Sequence, residues 1–545
     1  MKLLWLDLNS SYAHSSLALP ALHAQIADDT TVEWCMVSAT INENTGNIVK
    51  QIYQHQPDII AATNWLFNHE QLLHIVSRAK ALLPQCCIIL GGPEFLGDNK
   101  DFLFKNKFVN GVFRGEGEEV FPLWLKVWNR PRKEWKSITG LCYLDESEEY
   151  QDNGIARVMN FSALVSPERS RFFNWSKPFV QLETTRGCFN TCAFCVSGGE
   201  KPVRTIPLEA IRERLDNIHQ HGIKNVRVLD RTFNYNNKRA KDLLNLFREY
   251  PDIRFHLEIH PALLSEELKN ELAALPDGLL HLEAGIQSLR EPVLEQSRRI
   301  GKLSDALEGL KYLCSLKNME THADLIAGLP LYHLTEIFED VRTLAGYAAG
   351  EIQLESLKLL PGTEMRRRAE ELGIKYSPLP PYEVLQTHEI SVSELQTARQ
   401  LSRLLDGFYN TPAWQALTRE LILNDEQFLH RFLAYLTKAN LIDQPMSLEK
   451  RGLILYEFCK QNYPEYQIQA AIAWIEAGMS LKKLPAEKVW TKRQIPPATW
   501  NIIYGEYKES LRLCFLPADE KGEHGYWFGF ESEIQKASPV FKART

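Results

Sequence analysis

Residues 179–195 read FVQLETTRGCFNTCAFC, a strand-like run that ends on a threonine pair and opens into a loop holding three cysteines. Cys188, Cys192 and Cys195 have the spacing C-x3-C-x2-C. A structural zinc ion takes four ligands. No histidine or fourth cysteine lies near enough in the chain to complete that set, the next candidate being His219. Three thiolates alone suit a [4Fe–4S] cluster with one iron left open. Gly187 lets the loop turn tightly into the first cysteine. The other seven cysteines (Cys35, Cys86, Cys87, Cys142, Cys314, Cys459 and Cys514) sit in apolar runs or stand alone, and read as small buried hydrophobes.

Downstream of this loop, strand-like runs at 225–229, 254–259, 279–284, 321–327 and 353–359 alternate with helical patterns at 208–219, 238–249, 265–274, 291–296, 302–316 and 334–347. Together with the run at 179–184 they predict a central partial (β/α)6 barrel over 177–376, shorter than the eight-unit form. Polar groups and glycines gather where the strands end. The second ends in Asp230-Arg231-Thr232-Phe233-Asn234, and the third in Glu258 and His260. The fourth carries Glu283, Gly285, Gln287 and Ser288, with Arg298 and Arg299 beyond, and the fifth carries Asp324 and Gly328. Barrel enzymes keep their sites at these C-terminal ends. Gly198-Gly199-Glu200, directly after the cysteines, reads as loop. The SPLPP run at 377–381 ends the barrel. The remainder, 382–545, is expected to be a mostly helical domain, with strand-like runs near 500–503, 511–516 and 526–530.

Upstream, 1–128 alternates strands (2–8, 31–39, 58–64, 86–91, 110–114) with helical patterns (16–26, 47–54, 70–83, 118–128). The fold class is therefore α/β, with an N-terminal doubly wound, Rossmann-like parallel sheet. Its central strands are continuous apolar runs, as strands buried on both faces must be. Ligands of such sheets sit beyond the C-terminal strand ends. Those ends carry Asn9, Ser10 and Tyr12, then Thr63 and Asn64, then Gly91, Gly92 and Pro93 of GGPE, then Gly115 and Gly117 of GEGE. Glycines there would let backbone approach a large flat ligand. Residues 129–176 read as a connector, with a hairpin pairing 137–144 with 155–160.

Hydrophobic residues make up 44% of the 545 and charged residues 24%, with a net charge of −7, so the chain is globular and has no electrostatic reason to bind nucleic acid. At this length two to four domains are expected. No stretch is apolar for long enough to span a bilayer, and the first residues lack a signal-peptide pattern. The expected location is cytoplasmic, with cysteines reduced.

The cysteine motif, with aromatic Phe194 before its third cysteine, resembles that of the radical S-adenosylmethionine (radical SAM) superfamily. GGPE, GEGE and the opening LNSSYAHSSLAL resemble the cobalamin-binding domain that precedes many such barrels. The region after the barrel resembles an uncharacterised domain of one bacterial subgroup. The resemblance implies that the open iron holds S-adenosylmethionine and that its reductive cleavage yields a 5′-deoxyadenosyl radical. It implies that Glu258, Gln287, Ser288, Arg299 and Asp324 contact S-adenosylmethionine or substrate, and that cobalamin binds the first domain. No Asp-x-His-x-x-Gly motif is present to ligate cobalt from below, and His14 reads as structural. The implied activity is methylation or rearrangement of an unactivated carbon of an unknown substrate, with an electron donor such as flavodoxin or ferredoxin. Three rivals are a methylthiotransferase, a radical enzyme with a vestigial first domain, and a non-catalytic regulatory protein. The first needs a second cluster, which Cys35, Cys86 and Cys87 do not supply.

Overall fold

The computed structural model describes residues 1–14, 16–486, 503, 511–519, 523–531 and 538–544. They fall into two compact units, Met1–Leu334 with Glu355–Leu395, and Thr335–Leu354 with Gln396–Thr545.

The first unit opens with β1 (Lys2–Asn9), β2 (Glu33–Thr40), β3 (Ile59–Thr63), β4 (Cys87–Gly91) and β5 (Gly111–Phe113), paired in parallel in the order β2-β1-β3-β4-β5. All five residues of β3 are buried. Leu4, Leu6, Ile60 and Ile88 pack one core while their neighbours Leu3, Trp5, Ile59 and Ile89 pack the other. Successive side chains point to opposite faces, so a strand covered on both sides must be apolar throughout. In this order the winding of successive strands reverses between β1 and β3, the switch point beside which such sheets bind ligands.

The segment expected as a connector extends this sheet. Here β6 (Leu141–Leu144) and β7 (Tyr150–Asp152) add antiparallel strands, making seven. The hairpin partner is thus 150–152 and not 155–160. The reason is turn chemistry: Asp145 Oδ1 accepts from the backbone amides of Ser147 at 2.9 Å and Glu149 at 3.0 Å, closing the acidic run into a turn.

After β8 (Val180–Leu182), a short antiparallel ladder of β9 (Thr185–Arg186) and β10 (Arg204–Thr205) brackets the cysteine loop. Then come β11 (Asn225–Val228), β12 (Arg254–Ile259), β13 (Leu280–Gln287), β14 (Glu320–Ala327) and β15 (Glu351–Ser356), in a six-stranded sheet ordered β15-β14-β13-β12-β11-β8. The pairings from β8 to β14 are parallel. Burial alternates strictly along β13: Leu280, Leu282, Ala284 and Ile286 are buried, while His281, Glu283, Gly285 and Gln287 are not. This sheet has one apolar face and one polar inner face.

In the second unit, helices Pro412–Asn424, Phe428–Lys438, Leu448–Asn462 and Gln467–Glu476 enclose aromatic packing, with Phe432 4.8 Å from Phe408 and 4.6 Å from Phe458 between ring centres. A three-stranded antiparallel sheet follows, at Arg512–Pro517, Gly525–Phe530 and Phe541–Arg544. Two of these strands match the expected runs, and the third was not foreseen. The run expected at 500–503 lies, apart from Ile503, outside the described residues. Among the described residues no helix is long and apolar enough to cross a membrane.

Candidate active site

The cysteine loop is shaped by backbone bonds that only its turns make possible. Gly187 has φ +90°, and a Cβ there would stand 2.6 Å from the Glu200 carbonyl. That carbonyl accepts from the Cys188 amide at 3.0 Å, so Gly198-Gly199-Glu200 closes the loop. Asn190, inside the motif, is a second clasp. Its carbonyl takes the Gly199 amide at 2.8 Å and its Oδ1 takes the Ile300 amide at 3.0 Å. The Ala193 amide donates to Ser297 O at 2.9 Å. Asp230, buried at the end of β11, accepts from the Thr184 and Thr185 amides at 2.8 Å each and from the Thr184 hydroxyl. It ties β8 to the loop.

The three thiols share one pocket of charge. Burial pushes the Cys192 thiol up to about 11, against the pull of Arg299, whose Nη1 stands 3.7 Å from the sulfur. Burial also raises Cys195, with the Ser197 amide and Arg231 opposing it. Thr232 Oγ1 lies 3.9 Å from Cys188 Sγ. Burial works against the thiolate form at Cys192 and Cys195, and the nearby Arg299, Arg231 and Ser197 amide would offset the charge of thiolates bound to a metal centre. The donor set fits an iron–sulfur cluster.

Around them the polar inner face converges. Burial raises Glu258 to about 7, although Arg231 works against it. Asp324 is raised well above the carboxylate range by burial and by Glu283, with which it shares a hydrogen bond. Its Oδ1 is buried without a partner. Gln287 adopts φ +72° at a register shift in β13, a backbone state rare outside glycine. Arg299 also donates to the Gly285 carbonyl. Ser288 is fully buried, and its Oγ accepts from the Arg290 amide at 3.2 Å. Phe194 is half-buried in the loop. His260 Nε2 donates to the Ile300 carbonyl, 3.1 Å away, and the ring packs against Phe189, so it shapes the loop.

At the first sheet, Asn9 and Thr63 are buried beside the switch point, and Asn64 is fully buried with its Oδ1 unpartnered. An orphaned acceptor at a strand end fits a ligand that brings donors, as the amide-rich rim of cobalamin does. Ser10 is half-buried and Tyr12 is 75% exposed. His14 bonds Ser11 at 2.8 Å and meets Phe179 edge-on. Two glycines of the tandem motifs also serve internal packing. A Cβ on Gly92 (φ +109°) would stand 2.6 Å from Asn64 O, and one on Gly115 (φ +99°) would overlap Ala156 O. Gly91, Pro93 and Gly117 line the same strand ends.

The acids of those motifs reach the barrel. Glu116 binds Arg204 at 2.7 Å, and Glu118 binds Arg186 at 2.6 Å. Arg186 and Arg204 lie on the β9–β10 ladder that brackets the cysteines. Glu94 accepts from the Tyr382 hydroxyl, and Gly97 packs against the backbone of Gly362, beyond β15. The ligand end of the first sheet therefore faces the strand ends that carry the thiols.

The profile of the Radical SAM superfamily matches residues 182–344, that of the B12 binding domain 8–124, and that of a protein family of unknown function, DUF4080, 370–484. The chain therefore carries a radical SAM domain with a B12 binding domain in front of it. It is 26% identical over 296 residues to an uncharacterized methyltransferase of Pyrococcus horikoshii, covering 52% of this chain and 63% of that one. It is 20% identical to the cobalamin-dependent radical SAM methyltransferase TokK of Streptomyces tokunonensis, covering 59% and 50%. The chain thus spans about half the length of the curated relatives it matches. Among solved structures, OxsB with aqua-cobalamin and S-adenosylmethionine bound superposes with a TM-score of 0.60 at 15% identity, covering 88% of this chain and 82% of that one. That likeness is one of fold. Within the radical SAM region, Asp230, Asn190 and the Arg186/Arg204 pair went without a role in the sequence reading. The only signal for Asp230 was its place at a strand end.

Proposed function

We propose that this radical SAM protein is a cobalamin-dependent methylating enzyme acting on an unactivated carbon. The observation that carries the reading is the opposition of the two ligand ends: Glu116 and Glu118, at the B12-binding strand ends, are bound to the arginines that flank the cysteine loop. Cys188, Cys192 and Cys195 would hold a [4Fe–4S] cluster, and Asn9, Thr63, Asn64 and the GGPE and GEGE turns would border cobalamin. When bound, these groups supply a 5′-deoxyadenosyl radical from S-adenosylmethionine and a transferable methyl group. The protein's own residues supply position and charge. Arg299 compensates thiolate charge at Cys192 and fixes the strand end at Gly285. Gln287, Ser288 and Phe194 border the space between the thiols and the inner face. Glu258, poised near neutrality by burial, can hold or release a proton there, and Asp324, hydrogen-bonded to Glu283, leaves its Oδ1 to accept a hydrogen bond from a bound ligand. The names of the matched methyltransferases support group transfer over rearrangement. The single electron would come from a carrier of the flavodoxin or ferredoxin class.

The test is anaerobic purification from cobalamin-supplied cells, followed by iron and cobalamin assay and incubation with S-adenosylmethionine and dithionite. About four irons, one cobalamin and formation of 5′-deoxyadenosine are expected. Iron without cobalamin would remove methyl transfer through cobalt, and absence of 5′-deoxyadenosine would overturn the radical reading.

A further inference from the structure

The polar inner face of the second sheet continues past the residues near the thiols to its opposite end. His256, His281 and His322 stand side by side near the N-terminal ends of β12, β13 and β14. His281 Nε2 lies 2.6 Å from His322 Nε2, and His281 Nδ1 lies 3.3 Å from His256 Nδ1. His256 Nε2 meets Glu283 Oε2 at 2.9 Å. Glu320 is the register partner of His281, and one donor atom from each of His281, His322 and Glu320 falls within 4.8 Å of the others. Six residues of strand, roughly 20 Å, separate His281 from Gln287. The cluster loop is at the other end.

We propose that His281, His322 and Glu320 form a divalent-metal site, of the zinc or ferrous type, at the barrel end opposite the cysteine loop. Two imidazoles and a carboxylate are a recurrent donor set for both ions, and three protein ligands leave room for water.

The hydrogen-bond order supports it. A neutral imidazole has one donor nitrogen and one acceptor. The Glu283 carboxylate accepts, so His256 turns its Nε2–H to it and offers Nδ1 as an acceptor. His281 must then donate from Nδ1, which leaves the Nε2 lone pair aimed at His322. This is the arrangement of a metal-binding histidine whose outer N–H is anchored. Without an ion, that lone pair takes the His322 N–H. With metal–nitrogen bonds of about 2.0–2.1 Å the two nitrogens would stand about 3.3 Å apart, so the rings need separate by only about 0.7 Å. Arg254 holds Glu320 Oε2 at 2.7 Å and leaves Oε1 for the ion. Glu320 is exposed, so the ion can enter from solvent.

The experiment is a titration of the full chain with Co2+ as probe. It is run on Cys188→Ala/Cys192→Ala/Cys195→Ala, which cannot hold the cluster, and on the cluster-loaded wild type, where zinc and iron are assayed separately. One Co2+ per chain is expected, with visible ligand-field bands, no sulfur charge transfer, and displacement by Zn2+. His281→Gln and His322→Gln should each weaken binding at least tenfold and leave the visible absorbance of the iron–sulfur cluster unchanged. Undiminished binding in both glutamine variants would overturn the site. So would no Co2+ uptake by a cysteine variant whose circular dichroism matches wild type, which would leave a hydrogen-bonded imidazole pair only. Should that variant misfold, the wild-type zinc content against that of His281→Gln decides.

Discussion

The parallel cores of the first sheet and of the barrel sheet solve the same problem in opposite ways. In β3 and β4 nearly every side chain is buried, and all polar chemistry is pushed to the strand ends. In β12 and β13 every second residue faces inward and, Gly285 apart, is polar, so the strands themselves carry the chemistry. A sheet covered by helices on both faces has no wall to spare for function. A sheet that closes towards a barrel keeps an inner wall, and this one lines it with His256, Glu258, His281, Glu283 and Asp324. The difference predicts that substitutions in the first sheet act on stability and those on the inner face of the second act on activity.

The largest expected effect tests the loop itself. Cys188→Ala/Cys192→Ala/Cys195→Ala should lose all cluster iron and all 5′-deoxyadenosine formation while the far-UV circular dichroism stays native. Surviving cleavage of S-adenosylmethionine would sink the assignment. Next, Ile88→Ala, at a fully buried position of β4, should cost about 2–5 kcal/mol in denaturant melts, with reconstituted turnover per folded molecule retained. A purely catalytic loss would break the contrast.

The tie between the sheets comes third. Burial alone would raise Glu116, but the Arg204 hydrogen bonds, the Val158 amide and the Arg186 charge outweigh it and hold the carboxyl below its usual 4.5. A depressed acid contributes stability that is present above pH 4.5 and is lost as pH falls through the folded value. Glu116→Gln should therefore cost about 1–3 kcal/mol at neutral pH and flatten this acid limb of the melting-temperature profile. An unchanged profile would make the contact passive. The smallest stability effect is expected at Gln287. In Gln287→Gly the relief of the positive φ offsets glycine's entropy cost, so stability should change by less than about 0.5 kcal/mol, while 5′-deoxyadenosine formation drops at least tenfold. Retained activity would remove Gln287 from the site.

Much of this was legible because the signals are local. Cysteine spacing, a strand running into a glycine turn and unbroken apolar runs each depend on a few neighbouring residues. The hairpin after β5 was misplaced because its partner was set by one side chain, Asp145, folding an acidic run that composition alone marks as a break. The glycines of GGPE and GEGE were singled out for close approach of a ligand, and at Gly92 and Gly115 the structure adds a packing reason: both have positive φ, and the atoms that exclude a Cβ there, Asn64 O and Ala156 O, come from elsewhere in the chain.

The sequence by itself determined the order of βα units, the three thiols and the strand ends on which polar residues stand, because periodicity and spacing are properties of adjacent residues. Only the tertiary structure decided that Glu116 and Glu118 grip the arginines flanking the cysteines, that Asp230 ties the first strand to the loop, and that three histidines from separate strands meet. Those pairings join positions 25 to 88 residues apart, and their partners are chosen by sheet register and packing, which no local pattern encodes.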